Sequence, residues 1–204
     1  MKIYLLKDQD DYQKTLTEDD IVNITGEKGS GKSYDASRLE DDNHLVVHLD
    51  SIFLEEGNEY HKTSNEVKEY LLNKYHELDI SLLEKEYYQD IINFIKEKNK
   101  KGIIEGITLT DINDISILKG KVIVKRTGVL KSFLRTIKRD YHNKYFMDQE
   151  TEKHGKMKGK ARRLLKVVER RKKILKEYHQ VEDFMNLLNQ EEGTQDKNKI
   201  KKLS

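Results

Sequence analysis

Ile21-Val22-Asn23-Ile24-Thr25-Gly26-Glu27-Lys28-Gly29-Ser30-Gly31-Lys32-Ser33-Tyr34-Asp35 runs from a β-branched apolar segment straight into three glycines, two lysines and two serines. The apolar half predicts a strand, and the residues after Lys32 predict a helix to about Leu39. Between them, residues 26–33 fit G-x-x-x-x-G-K-[ST] without a gap, in the strand-loop-helix setting which that phosphate-binding pattern requires. Glycines let the backbone curl so that successive N–H groups point inward as an anion nest, and a helix N-terminus adds partial positive charge. Gly26, Glu27, Lys28, Gly29, Ser30, Gly31, Lys32 and Ser33 are therefore the candidate ATP-binding residues. Lys32 is expected to reach the β- and γ-phosphates, and the Ser33 hydroxyl to lie on Mg²⁺. The plainer alternative is a flexible surface loop capping a helix, which leaves the setting to coincidence. For Lys28 a phosphate contact and a solvated lysine weigh equally.

The chain around this loop alternates strands and helices, the signature of a parallel α/β sheet. His44–Asp50 reads as a continuous apolar strand, as do 102–107 and Lys121–Lys125, while Lys2–Leu6 is a shorter candidate. Helical spacing links Val67, Tyr70, Leu71 and Tyr75, and again Leu83, Tyr87, Ile91, Phe94 and Ile95. After Gly128 the pattern is wholly helical: 129–147, then a polar, glycine-broken segment at 148–160, then a long helix from about Ala161 to Asn189. The last residues read as a frayed polar tail. This divides the chain into a domain over 1–147 and a basic helical extension over 148–204.

Charge follows the same division. Residues 1–152 hold 23 Lys and Arg against 30 Asp and Glu, a net of −7, whereas residues 153–204 hold 16 against 7, a net of +9. Twelve of those cations and a single acid, Glu169, lie within 153–176. That helix fits a nucleic-acid backbone, an intramolecular match with the acidic body, or plain solvation; its apolar stripe also suits a homodimer. The absence of cysteine excludes disulfides and thiolate metal sites. No apolar run is long enough for a bilayer span or a secretory signal, so no membrane association is expected and a cytoplasmic setting is the default.

Three further features choose among uses of a bound triphosphate. Asp50, at the carboxyl end of the second strong strand, is placed to accept a proton from an attacking hydroxyl or to hold Mg²⁺ through water. The other reading of Asp50 is a helix cap. Glu105, in "IIEGI", ends the next strand where an acid can serve Mg²⁺. Arg135 and Arg139, four apart on the helix after the last strand, share a face that can clamp a transferring phosphoryl group; Lys138 beside them fits a solvated face. Tyr60, His61 and Lys62 lie just past the Asp50 loop, where an exposed loop outweighs an acceptor pocket.

"GEKGSGKS", "LDSIF", "IIEGI" and "LRTIKRD", in this order, make the region 21–145 resemble the small P-loop kinases, especially the uridine kinase group. The resemblance implies an α/β P-loop NTPase three-layer fold with a parallel sheet and a helical lid. It implies Asp50 as the base, Glu105 near Mg²⁺, and Arg135 and Arg139 as lid arginines on phosphates. ATP and Mg²⁺ are the expected cofactors, with a nucleoside, nucleotide or related small molecule as acceptor. Two departures stand out: "VKRTG" (124–128) replaces an acidic turn, and the family's last strand has no clear counterpart, a place that Lys2–Leu6 would fill. A kinase acting on a nucleic-acid end, and a non-kinase ATPase or interaction module, are the alternatives.

Overall fold

The computed structural model describes residues 2–7, 20–53, 61–142, 160–195 and 201–202, with side chains over 20–53, 61–138 and 167–190. In chain order the elements are β1 (Lys2–Lys7), β2 (Ile21–Gly26), α1 (Lys32–Ser37), β3 (His44–His48), α2 (Leu49–Phe53), α3 (Lys62–Tyr75), α4 (Tyr88–Glu97), β4 (Lys101–Glu105), β5 (Lys121–Arg126), α5 (Val129–His142), α6 (Lys160–Gln195) and β6 (Lys201–Lys202). A 3₁₀ turn and one π turn over Ile80–Tyr87 lead into α4, and 3₁₀ turns over Ile107–Asp111 and Ile115–Ile117 connect β4 to β5. All pairings are parallel, in the order β3-β4-β2-β5-β1-β6.

Lys2–Lys7 thus pairs with β5, so the expectation that the N-terminal segment fills that sheet edge is met. Three local expectations are corrected. His44–His48 ends two residues before Asp50, which falls in the first turn of α2. Lys62 opens α3 instead of sitting in an exposed loop, while Tyr60 lies outside the described residues. The last helix continues to Gln195, and Lys201–Lys202 pairs with β1 rather than fraying.

Side chains of period two sort the sheet residues onto two apolar faces. Val22, Ile24, Val46, Ile103 and Ile123 form one cluster with Ala36 of α1, while Val47, Ile104, Val122 and Val124 join the larger one. That larger cluster takes in Val67 and Leu71 of α3, Ile91, Ile92 and Ile95 of α4, and Val181, Phe184 and Leu188 of α6. Spacings of three and four put the three α6 residues on one stripe, which fastens the second half of that helix to the body.

One polar knot is built into the larger face. Asn23 Nδ2 donates to Lys119 O (2.8 Å) and Lys121 O (3.3 Å), its Oδ1 accepts from the Tyr88 hydroxyl (2.9 Å), and that hydroxyl accepts from Lys119 N (3.1 Å). Burial pushes the Tyr88 phenol up to about 12. Because the folded value lies above the unfolded one near 10, the neutral phenol's contribution is complete below about pH 10 and is lost as pH rises through about 12. Tyr88→Phe should therefore cost about 1–3 kcal/mol at pH 7 by leaving Lys119 N and Asn23 Oδ1 unpaired. It should also flatten the decline in urea stability between about pH 10 and 12 relative to wild type; parallel declines would rule out this account.

Candidate functional site

The register sets the carboxyl ends of four strands side by side. His48 pairs with Glu105, Ile24 with Glu105, and Gly26 with Lys125. The crevice beyond such ends is where open α/β sheets bind ligands. The glycine loop leaves β2 at this point, and its glycines are required by contact. Gly26 has φ +154°, and a Cβ there would lie 2.1 Å from Lys125 O; Gly29 has φ +82°, and a Cβ there would lie 2.8 Å from Ser132 O. The loop is thus pressed against β5 on one side and α5 on the other, which fixes its curl.

Lys32 and Ser33 meet Glu105 where α1 begins. Ser33 Oγ donates to Glu105 Oε1 at 3.0 Å, and Lys32 Nζ lies 3.7 Å from the same oxygen. The other carboxylate oxygen is 2.6 Å from His48 Nδ1. Burial disfavours the Glu105 charge, but the Lys32 ammonium and the His48 hydrogen bond outweigh it and hold the carboxyl below its ordinary value. An ionised carboxylate beside a hydroxyl is a donor set suited to a hard cation. Among the described residues no group of three or more His, Asp or Glu is placed to enclose a metal. Mg²⁺ held by one carboxylate, a hydroxyl and phosphate oxygens needs no such cage. Ser30 Oγ, fully buried within the loop, has no hydrogen-bond partner among the described residues, as expected of a cradle shaped for an oxyanion.

Asp50 is held one residue beyond Glu105. Its carboxylate accepts from Ile107 N (3.3 Å), Thr108 N (3.2 Å) and Thr108 Oγ1 (3.3 Å), and a Cβ on Gly106 would lie 2.7 Å from Oδ1. Asp50 thus lies inside α2 instead of capping the helix after its own strand; its carboxylate holds the turn that follows β4, while remaining partly exposed. Asp111, at the end of that turn, is pushed up by desolvation and by the Asp50 charge, and pulled down by the Lys176 ammonium. Arg135 Nη1 lies 3.4 Å from Gly29 O and 3.4 Å from Thr127 Oγ1, so α5 sets this guanidinium against the loop. The Arg139 side chain lies outside the described residues, and the Lys138 side chain is exposed on the same helix.

Several residues at the site are invisible to local pattern. Glu27, fully buried, accepts from Thr127 N (2.7 Å) and Gly128 N (3.1 Å) through Oε1, and Arg126 Nε lies 3.4 Å from Oε2. This explains the basic "VKRTG" turn: the acid sits in the loop, and its partner cation follows the strand. Arg126 also stacks on Tyr178 of α6 at 4.0 Å, and Glu177 of α6 accepts from Lys28 N at 2.9 Å. His61 packs its ring 3.9 Å from that of His48, and Lys125 pairs with Asp35 beneath Gly31. The only advance signal for His48 was a histidine at the buried end of a strand. Glu27→Ala would strand two backbone donors and a cation, and should cost about 3 kcal/mol in urea unfolding. A loss below about 0.5 kcal/mol would mean that solvent already satisfies those groups.

An open cleft of ≈ 380 Å³ lies where the chain passes from β5 into α5, between Thr127, Gly128, Val129, Leu130, Lys131 and Leu134. Among the described residues, no helix is long and apolar enough to cross a membrane. No known protein-family model matches the chain, and no curated protein sequence matches it.

Proposed function

We propose that this chain is an ATP-dependent phosphotransferase of the small P-loop kinase kind, with the corresponding three-layer fold and lid, working in the cytoplasm. It would move the γ-phosphoryl of ATP-Mg to a hydroxyl or phosphate of a nucleoside, nucleotide or related molecule. The observation that carries this reading is the convergence of Lys32 and Ser33 on Glu105 across two neighbouring strands. Loop amides and Lys32 would bind the triphosphate, and Ser33 with Glu105 would hold Mg²⁺. When bound, that ion neutralises charge on the β- and γ-oxygens. Asp50 would take the proton of the acceptor hydroxyl as its oxygen bonds to the γ-phosphorus and the bond to the β-phosphate oxygen breaks, releasing ADP. Arg135, beside Gly29, would stabilise the charge on the group in flight.

The test is transfer from radiolabelled ATP to nucleosides, nucleotides and oligonucleotides in parallel, with Lys32→Ala as the blank. Label on an acceptor class only with intact Lys32 supports the reading; equal signal from both proteins sinks it. A second reading, a nucleotide-gated interaction module, draws on the Glu177–Lys28 contact that ties α6 to the loop. ATP turnover without any acceptor, together with nucleotide-dependent partner binding, would favour it.

A further inference from the structure

The basic face of α6 has a definite place relative to the site. Buried Ile174 and Glu177 turn into the body, while Arg171, Lys172, Lys173 and Lys176 are exposed. None of these four cations forms an ion pair among the described residues. The face reaches the crevice at one end. Glu177 bonds Lys28 N of the glycine loop, and α6 packs against the Ile107–Asp111 turn, whose first amides are held by Asp50. At the other end α6 continues back to Lys160, through a stretch in which the sequence adds Arg162, Arg163 and Lys166. From Lys160 to Lys176 a helix rises about 24 Å, the span of about four to seven phosphates of an extended strand.

We propose that this face docks a single-stranded nucleic acid and leads its end to the Asp50 side of the site, making a strand terminus the acceptor. The docking rests on the cations alone, and the acceptor role rests on the phosphotransferase reading. A nucleic acid fits better than a lipid surface. A membrane-lying helix exposes a broad apolar face beside its cations, whereas here Ile174 is buried in the body, Leu175 half-buried, and the exposed apolar side chains described on α6 are Val167 and Val168 alone. Arg and Lys rows of this kind follow a phosphate backbone without reading bases, so binding should be tolerant of sequence and steeply dependent on salt.

The experiment measures anisotropy of a fluorescein-labelled 20-nucleotide strand with 5′-hydroxyl ends, at 50 to 300 mM KCl, on the full chain. Wild type should bind with log K falling by about 2–3 per decade of salt, as for three or four phosphates neutralised at about 0.7 each. K172E/K173E/K176E should weaken binding at least tenfold and flatten that slope, and K172Q/K173Q should do so partially. A fluorescent ATP analogue, titrated in parallel, should bind all three proteins within about twofold, showing that the variants are folded. Equal affinity of wild type and triple variant for the strand overturns the proposal, as does binding to phosphatidylserine vesicles without binding to the strand. Nucleotide binding with label passing only to free nucleosides overturns the acceptor role and leaves the phosphotransferase reading intact. Salt-dependent strand binding with no nucleotide binding overturns the phosphotransferase reading, and the acceptor role with it, and leaves the docking intact.

Discussion

Lys32→Ala should lower phosphoryl transfer from labelled ATP by at least 10²–10³-fold, with a matching loss of nucleotide affinity. The Lys32 side chain is almost fully buried, and its ammonium lies 3.7 Å from Glu105 Oε1. A buried ammonium is a charge-assisted donor to incoming phosphate oxygens, and the low-dielectric setting strengthens such bonds. Its removal acts twice. The phosphates lose a charge-assisted partner, and Glu105 loses its strongest opposing charge, so its carboxyl rises toward neutrality under the burial that already disfavours ionisation. A neutral Glu105 is a poor cation ligand, so the Mg²⁺ dependence should weaken as well. Lys32→Arg separates the two effects: it keeps a cation for Glu105 but places a planar fork where a point charge fits, so stability should return while transfer stays low. Transfer within a few-fold of wild type in folded Lys32→Ala would remove the loop from the chemistry.

The strand-loop-helix at 21–37 was readable because every determinant is local: β-branched residues for the strand, glycines at the curl, and a helix former after Lys32. The buried residues of α3 and α4 were readable for the same reason, since Val67, Leu71, Ile91 and Ile95 recur at helical spacing. What the sequence left open is what depends on contacts between distant residues. Glu27 reads as a variable loop position, yet it is fully buried because its partners lie 99 to 101 positions away at Arg126, Thr127 and Gly128. His48 bonds Glu105 only because β3 and β4 stand in register. Glu177 meets Lys28 across 149 positions, and no periodicity encodes that. The strand boundary before Asp50 was misplaced by two residues because Leu49 continues the apolar pattern, although the chain has already turned into α2.

These long-range contacts also explain why the loop cannot be treated as an isolated cradle. Arg126 joins Glu27 of the loop to Tyr178 and Glu182 of α6, the latter at 3.8 Å, and Ser132 of α5 bonds Lys28 O. Any shift of the loop is therefore felt by α5 and α6 together. The helices that carry Arg135 and the basic face are thus tied to the glycine loop by Ser132, Glu177 and Arg126.

Asp50→Asn should lower transfer by about 10²–10⁴-fold while leaving nucleotide affinity within about twofold, as expected when a general base is removed from a site whose phosphate contacts are intact. The substitution discriminates because Asp50 has two roles open to it. As a cap, it accepts from Ile107 N, Thr108 N and Thr108 Oγ1, and an asparagine oxygen can keep at least part of that set. As a base, it needs the negative charge that asparagine lacks. If capping were its whole contribution, Asp50→Asn would transfer phosphate like wild type, and Asp50→Ala would lose about 1 kcal/mol of stability with transfer preserved in the folded fraction. The neighbouring carboxyl supplies a second check. Asp111 is raised partly by the Asp50 charge, so neutralising Asp50 lets Asp111 ionise at lower pH, and residual transfer in Asp50→Asn should then be lost in Asp50→Asn/Asp111→Asn. Residual activity that survives the double substitution would mean that the acceptor delivers its proton to solvent or to the phosphoryl group itself, and the crevice would then act by positioning and charge alone.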